Sequence, residues 1–230
     1  MMFKQFIWDI VDANSWLIIE NGRGLLFDAV FSEDLFDEVK KLEQLTVVLT
    51  HCHFDHICGL NTIRKINPDT KVIATSLCSE SIGSEQKNLS SIADAFMAFY
   101  LKNDIETMDA GEYRRKLESV DGFTCGPADE TFDNEMTFEW EGHSVNLSQY
   151  SGHSPDSLIA TVDGKYMFSG DTILLIPTAT RLPKGSTKKF WNEDIPRLKE
   201  LVPVIEEVFP GHGDSGKLAD MIELNEKLKK

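Results

Sequence analysis

The chain has no apolar stretch approaching the length of a membrane span, so no spanning helix is expected. It has no close-paired cysteines either. Cys52, Cys58, Cys78 and Cys125 show none of the short spacings of zinc ribbons or redox motifs, and are expected as buried thiols in a reducing compartment. The opening stretch, MMFKQFIWDIVDANSWLIIE, is acidic from Asp9 onward and shows no cleavage pattern; it reads as the first strands. These features favour a cytoplasmic protein. Positive charge is scarce: 23 Lys and Arg face 38 Asp and Glu, a formal net charge of −15. Such a surface repels polyphosphate, so neither long nucleic acid nor an anionic membrane is an expected partner. Repeats and low-complexity tracts are absent, and residues 1–230 are read as one domain.

What is present alternates between strand and helix. Ser15–Ile19 and Gly24–Asp28 read as strands joined by Asn21-Gly22-Arg23. Ser32 is placed to cap a helix carrying Leu35, Phe36, Val39 and Leu42. A buried strand at Thr46–Thr50, a helix at Leu60–Ile66 and a strand at Lys71–Thr75 follow, a pattern that points to a layered α/β fold. Residues 79–118 are long and polar, with Ala95, Phe96, Phe99 and Tyr100 on one face, and read as a helical insertion over one end of the sheet. Short strands come next at Met136–Trp140, Ser144–Gln149, Leu158–Val162 and Tyr166–Ser169, with Asp163-Gly164 turning a hairpin. A helix (Lys188–Leu201), a strand (Ile205–Phe209) and a helix (Leu218–Lys229) complete the reading.

Histidine is also scarce, with six in the chain, and three of them fall within LTHCHFDHICG at residues 49 to 59. Strands project neighbouring side chains to opposite faces, so a His-x-His pair on a strand can aim both imidazoles, here His51 and His53, at one point. Asp55 and His56 follow on the turn, and Cys52 between the pair is expected to point into the core. Imidazole with carboxylate suits zinc, manganese or iron. His153 in YSGHSPDS, Asp171 in FSGDTI and His212 in VFPGHGDS each stand at a strand-to-loop junction, where α/β sites are built. His143, in the turn Glu141-Gly142-His143, reads as a surface residue.

In this order His-x-His-x-Asp-His, Gly-His-Ser, Ser-Gly-Asp and Pro-Gly-His resemble the metallo-β-lactamase-fold hydrolases, most of all their glyoxalase II-like branch. The likeness runs from about Trp16 to Gly213. It implies a four-layer αββα sandwich. It also implies two divalent metal ions, zinc first with iron or manganese as alternatives. His51, His53 and His153 would hold one, Asp55, His56 and His212 the other, and Asp171 would bridge them. The implied reaction is hydrolysis of a small ester, thioester or lactone, with Asp55 taking a proton as well as serving as a ligand. Mononuclear iron sulfur dioxygenases of the persulfide type and small-molecule or cyclic-nucleotide phosphodiesterases are the alternatives. Ser151 stands where a proline often precedes the Gly-His of this group, and Asp156 where glycine is common; neither is expected to touch a ligand. The 18 residues after His212 are fewer than the glutathione-gripping helical region of classical glyoxalase II enzymes, which counts against glutathione thioesters.

Thr172 to Trp191 contains Arg181, Lys184, Lys188 and Lys189 and no acidic residue. In so acidic a chain, a basic loop leaving Asp171 suggests a small anionic substrate. A homodimer is compatible with the sequence.

Overall fold

The computed structural model describes residues 1–92, 110–178 and 185–229. Its eleven described strands form two sheets. The first runs β1 (Met2–Trp8), β2 (Ala13–Glu20), β3 (Arg23–Phe27), β4 (Gln44–Val48), β5 (Lys71–Thr75), β6 (Glu130–Phe132), in that spatial order. Pairing is antiparallel from β1 to β3 and parallel from β3 to β6. The second sheet is β7 (Glu135–Trp140), β8 (His143–Gln149), β9 (Leu158–Val162), β10 (Tyr166–Gly170) and β11 (Glu207–Pro210). Its first four strands form an antiparallel meander, and β11 lies parallel to β10.

The apolar runs are continuous because both faces of each sheet are covered. Leu17, Leu26, Val47 and Val72 face α1 (Glu33–Val39) and α3 (Leu60–Ile66), whose Leu35, Val39, Leu60 and Ile63 join the same cluster. Their neighbours Ile18, Leu25, Val48 and Ile73 point the other way, into an inter-sheet core with Val145, Leu147, Ala160 and Phe168. Phe27 and Phe168 stack across it with ring centroids 3.7 Å apart. A third cluster joins Ile159, Met167 and Val208 to Phe190, Ile195, Leu198, Met221 and Ile222 on the helices behind the second sheet. Three cores between four layers make the expected αββα sandwich.

Several local details differ from the sequence expectations. β4 ends at Val48, so the His-x-His pair sits on extended loop backbone and not on the strand, and Asp55 and His56 lie on a short helix, α2 (Phe54–Ile57). Ser32 occupies the N-cap of α1 without a side-chain cap bond. The Asp163-Gly164 turn includes Lys165, since Val162 pairs with Tyr166. Strand β6 is too short to carry a readable period. The expected helix Lys188–Leu201 is divided: α6 (Thr187–Lys189) passes through a π-helical turn, Phe190–Asp194, into α7 (Ile195–Leu201). Pro196 follows that turn, and a proline ring inside a regular helix would clash with the carbonyl four residues earlier. The final helix is α8 (Leu218–Lys227). Of the 79–118 insertion, Ala95, Phe96, Phe99 and Tyr100 lie outside the described residues. Its described parts include the end of α4 (Ser76–Ser81), a 3-10 turn at Ser90–Ile92 and most of α5 (Ala110–Ser119). Among the described residues no helix is long and apolar enough to cross a membrane.

Candidate metal centre

Parallel pairing puts the carboxyl ends of β3, β4, β10 and β11 at one edge of the sandwich. Asp28 follows β3, the segment Thr50 to His56 follows β4, Asp171 follows β10 and His212 follows β11; His153 comes from the β8–β9 connection. Hydrogen bonds between the sheets hold this edge together. Leu158 N–H donates to Thr50 O at 2.8 Å and Asn14 N–H to Gly211 O at 2.7 Å, while Trp16 Nε1–H donates to Pro210 O at 2.8 Å. Asn14 Nδ2 adds bonds to Pro210 O and Gly213 O.

All seven expected positions converge there. His53 Nδ1 is 3.1 Å from His153 Nε2, and His56 Nε2 is 3.3 Å from His212 Nε2. Asp55 Oδ2 is 3.6 Å from His56 Nε2 and 3.4 Å from His212 Nε2. Asp171 reaches both sides: Oδ1 is 3.4 Å from His56 Nε2, and Oδ2 lies 3.6 Å from His153 Nε2 and 3.4 Å from His212 Nε2. Donor atoms of His51, His53 and His153 lie within 4.8 Å of one another, as do those of Asp55, His56 and His212 and those of Asp28, His51 and His56; each group is able to hold a metal ion.

Three observations fit a metal to this arrangement. Ligands about 2.0–2.1 Å from a tetrahedral zinc stand about 3.3 Å from each other, close to the separations above. His51 Nε2 and Asp171 Oδ1 are buried with no hydrogen-bond partner, although buried polar atoms are nearly always satisfied. Glycine also lets the backbone pass close to the donors: a Cβ on Gly211 would sit 2.3 Å from Asp171 Oδ1 and 2.8 Å from His56 Cε1.

The outer nitrogens are fixed from behind, which aims the inner ones. His56 Nδ1–H donates to Asp28 Oδ2 at 3.0 Å, and His212 Nδ1–H to Val11 O at 3.1 Å. His51 Nδ1–H donates to Thr50 Oγ1 at 3.1 Å, and that hydroxyl donates to Asp28 Oδ2. Asp28 thus serves two donor groups, and its other oxygen accepts the Thr50 N–H. Asp28 escaped the sequence reading, yet it ends an apolar strand as Asp171 does. Its φ of 61°, a left-handed conformation disfavoured outside glycine, marks it as well.

Asp156 touches no donor side chain, in line with expectation, but it is not idle. Its Oδ2 accepts the N–H of Cys52, between His51 and His53, and its Oδ1 accepts the Ser154 hydroxyl beside His153. Buried Asp194, delivered by the π-helical turn, accepts the Gly152 N–H; burial pushes its carboxyl up to about 6. Cys52 is buried in the core cluster, as expected. His143 is remote from the centre: it opens β8 and pairs with Asp163 and Glu20.

Electrostatics divide the centre. Burial, with the neighbouring imidazoles, pushes His51 well below its ordinary range, and burial takes His53 down to about 4, so both are neutral near pH 7. Burial would lower His56 and His212 too, but Asp171 and Asp55 outweigh it: His56 is held well up and His212 at about 10. Asp55 falls to about 2 because His56 and His212 overcome its burial. Two protonated Nε2 atoms would repel at 3.3 Å, so the carboxylates favour a proton shared between His56 and His212, or a cation in its place.

Of the basic loop, Arg181 and Lys184 lie outside the described residues. Lys188 and Lys189 are exposed on α6, whose cap residue Ser186 donates its N–H to Gly152 O, next to His153. Among the described residues no hydrogen bond or ion pair joins their ammonium groups to the donors.

Residues 8–212 match the model of the metallo-beta-lactamase superfamily. The chain belongs to this superfamily. No match is found among the curated proteins. Solved structures of the same fold include the BLEG-1 B3 metallo-beta-lactamase, with a TM-score of 0.75 at 20% identity over 100% of both chains. TTHA1623 in a di-iron-bound form gives 0.69 at 20%, covering 96% of this chain and 98% of that one. ETHE1 from Myxococcus xanthus gives 0.63 at 18%, covering 100% and 92%. At such identities the likeness is one of fold. Superfamily membership and the His/Asp groups bear out metal binding; the metal and the reaction lie beyond these comparisons.

Proposed function

We propose that residues 1–230 act as one glyoxalase II-like, binuclear metal-dependent hydrolase domain that cleaves a small, anionic ester, thioester or lactone. The observation that carries this reading is the convergence of seven donor side chains, with Asp171 within 3.6 Å of members of both groups. His51, His53 and His153 are proposed to hold one ion, and Asp55, His56 and His212 the other, Asp171 being shared. Zinc is the first choice and iron or manganese the alternatives. Such a pair supplies Lewis-acid polarisation of a carbonyl and water of lowered pKa.

The chain's own groups do the rest. Asp28 and Thr50 keep the His51 and His56 rings from turning, and Val11 O does the same for His212. Asp55, ionised at neutral pH and only partly buried, is proposed as the acceptor of the nucleophile's proton. Asp171 offsets positive charge from both sides. Buried Phe54, Leu49 and Ile57 around the donor segment keep bulk water from its rear.

Elemental analysis of purified protein, run beside thioester, lactone and phosphodiester substrates, tests the reading. Thioester or lactone turnover that tracks metal content supports it. Oxygen uptake with a persulfide at one iron per chain would favour the sulfur dioxygenase instead, and phosphodiester turnover alone the phosphodiesterase.

A further inference from the structure

A cavity of about 60 Å³ adjoins the donor groups, walled by Cys52, His53, Leu77, Ser81, Lys87 and Pro155. One donor residue, His53, forms part of its wall. At about 10–15 Å³ of such space per water molecule, it has room for a carboxylate with a short stretch of the chain that carries it.

Its polar walls are unequal. Asp156 also lines it, but both its oxygens are engaged, one by the Cys52 N–H and one by the Ser154 hydroxyl. Ser81 is only 5% exposed and lines the cavity. Lys87 Nζ stands 4.0 Å from Glu80 Oε2, beyond hydrogen-bond distance, so its donors remain available beside the helix that carries Leu77 and Ser81.

The backbone at Lys87 is held in place. Its carbonyl accepts the Cys52 thiol, and the next residue, buried Asn88, takes the Phe54 N–H on its carbonyl and donates from Nδ2 to Phe123 O. Leu89 follows at φ 65°, a left-handed conformation costly for leucine. Strain of this kind persists where surrounding structure enforces it, often beside functional sites. Here it fixes the backbone that carries Lys87, an exposed cation beside a small pocket in a chain of net charge −15.

We propose that this cavity is a subsite for the carboxylate end of the substrate, with Lys87 Nζ and Ser81 Oγ as its donors. The assignment rests on the hydrolase reading above, and places anion recognition at Lys87 as well as on the loop after Asp171.

The test compares S-succinyl- and S-butyryl-N-acetylcysteamine, which differ in a carboxylate for a methyl, on metal-loaded protein. Wild type should prefer the succinyl thioester. K87A should lose about tenfold in kcat/KM on it, mostly through KM, and stay within about twofold on the butyryl one. K87R should recover most of the loss, and S81A should show a smaller loss of the same kind. Equal losses on both thioesters, or none, overturn the proposal. If metal-loaded wild type cleaves neither, the hydrolase reading fails for thioesters and calorimetry decides the subsite separately. A preference for succinate over butyrate that disappears in K87A supports it; binding unchanged by K87A overturns it.

Discussion

His153 Nε2 lies 3.1 Å from His53 Nδ1, although 100 residues separate them in the chain. Each arrives on a different sheet's loop, and the Asp156 carboxylate ties the two loops together through Cys52 N–H and Ser154 Oγ. Without metal one ring's N–H can donate to the other's bare nitrogen; both nitrogens are also close enough to share one cation.

The two donor groups should load differently with pH. His51 is pushed well below its ordinary range and His53 down to about 4, so protons on these two should compete little with the first ion near neutral pH. His212, at about 10 without metal, must lose its proton to bind. Each displaced proton should therefore weaken the second ion by about tenfold for every unit the pH falls. Metal content measured across pH should drop from two ions towards one in acid. Simultaneous loss of both contradicts the asymmetry.

Asp55→Ala should lower turnover by about a hundredfold or more while the first group keeps its ion. Rate and metal content measured on one preparation separate the two effects. A wild-type rate would make this carboxylate a spectator.

His143→Ala should leave rate and metal content nearly intact. Asp163 and Glu20 raise the His143 pKa, so the pairing stabilises the fold below the ordinary value of 6.5 and fades as pH rises through the folded value. Thermal melts of variant and wild type should differ most in mild acid and converge in alkali; a gap that widens with pH has the wrong sign.

Asp28→Ala should weaken metal binding by about 10- to 100-fold, since it frees both the His56 ring and Thr50. Competition with a chromophoric chelator measures this. Unchanged affinity would reduce Asp28 to a structural residue.

Reversing Lys188 and Lys189 to Glu should cost about fivefold or less in kcat/KM with an anionic substrate at low salt. The deficit should vanish as ionic strength rises, with metals retained and kcat less affected. Both side chains are exposed, so a large, salt-insensitive loss would mean direct contact instead of steering.

The layers were legible because side chains on both faces of β2 to β5 are apolar, and seven donors could be read because His, Asp and Gly recur at strand ends. The supporting groups were harder to see. Asp28, Asn14 and Asp156 act through bonds to residues distant in sequence, which no local period records. The π-helical turn depends on how one proline is accommodated, and β6 is only three residues long. Lys87 carries no sequence signal, since its carbonyl's bond to the Cys52 thiol links segments 35 residues apart.

The central claim is a binuclear centre, and metal stoichiometry tests it most directly. Protein grown or refolded with excess zinc at mildly alkaline pH should carry close to two ions per chain by elemental analysis, as expected for the donor groups His51/His53/His153 and Asp55/His56/His212. A value that stays at one under those conditions contradicts the account.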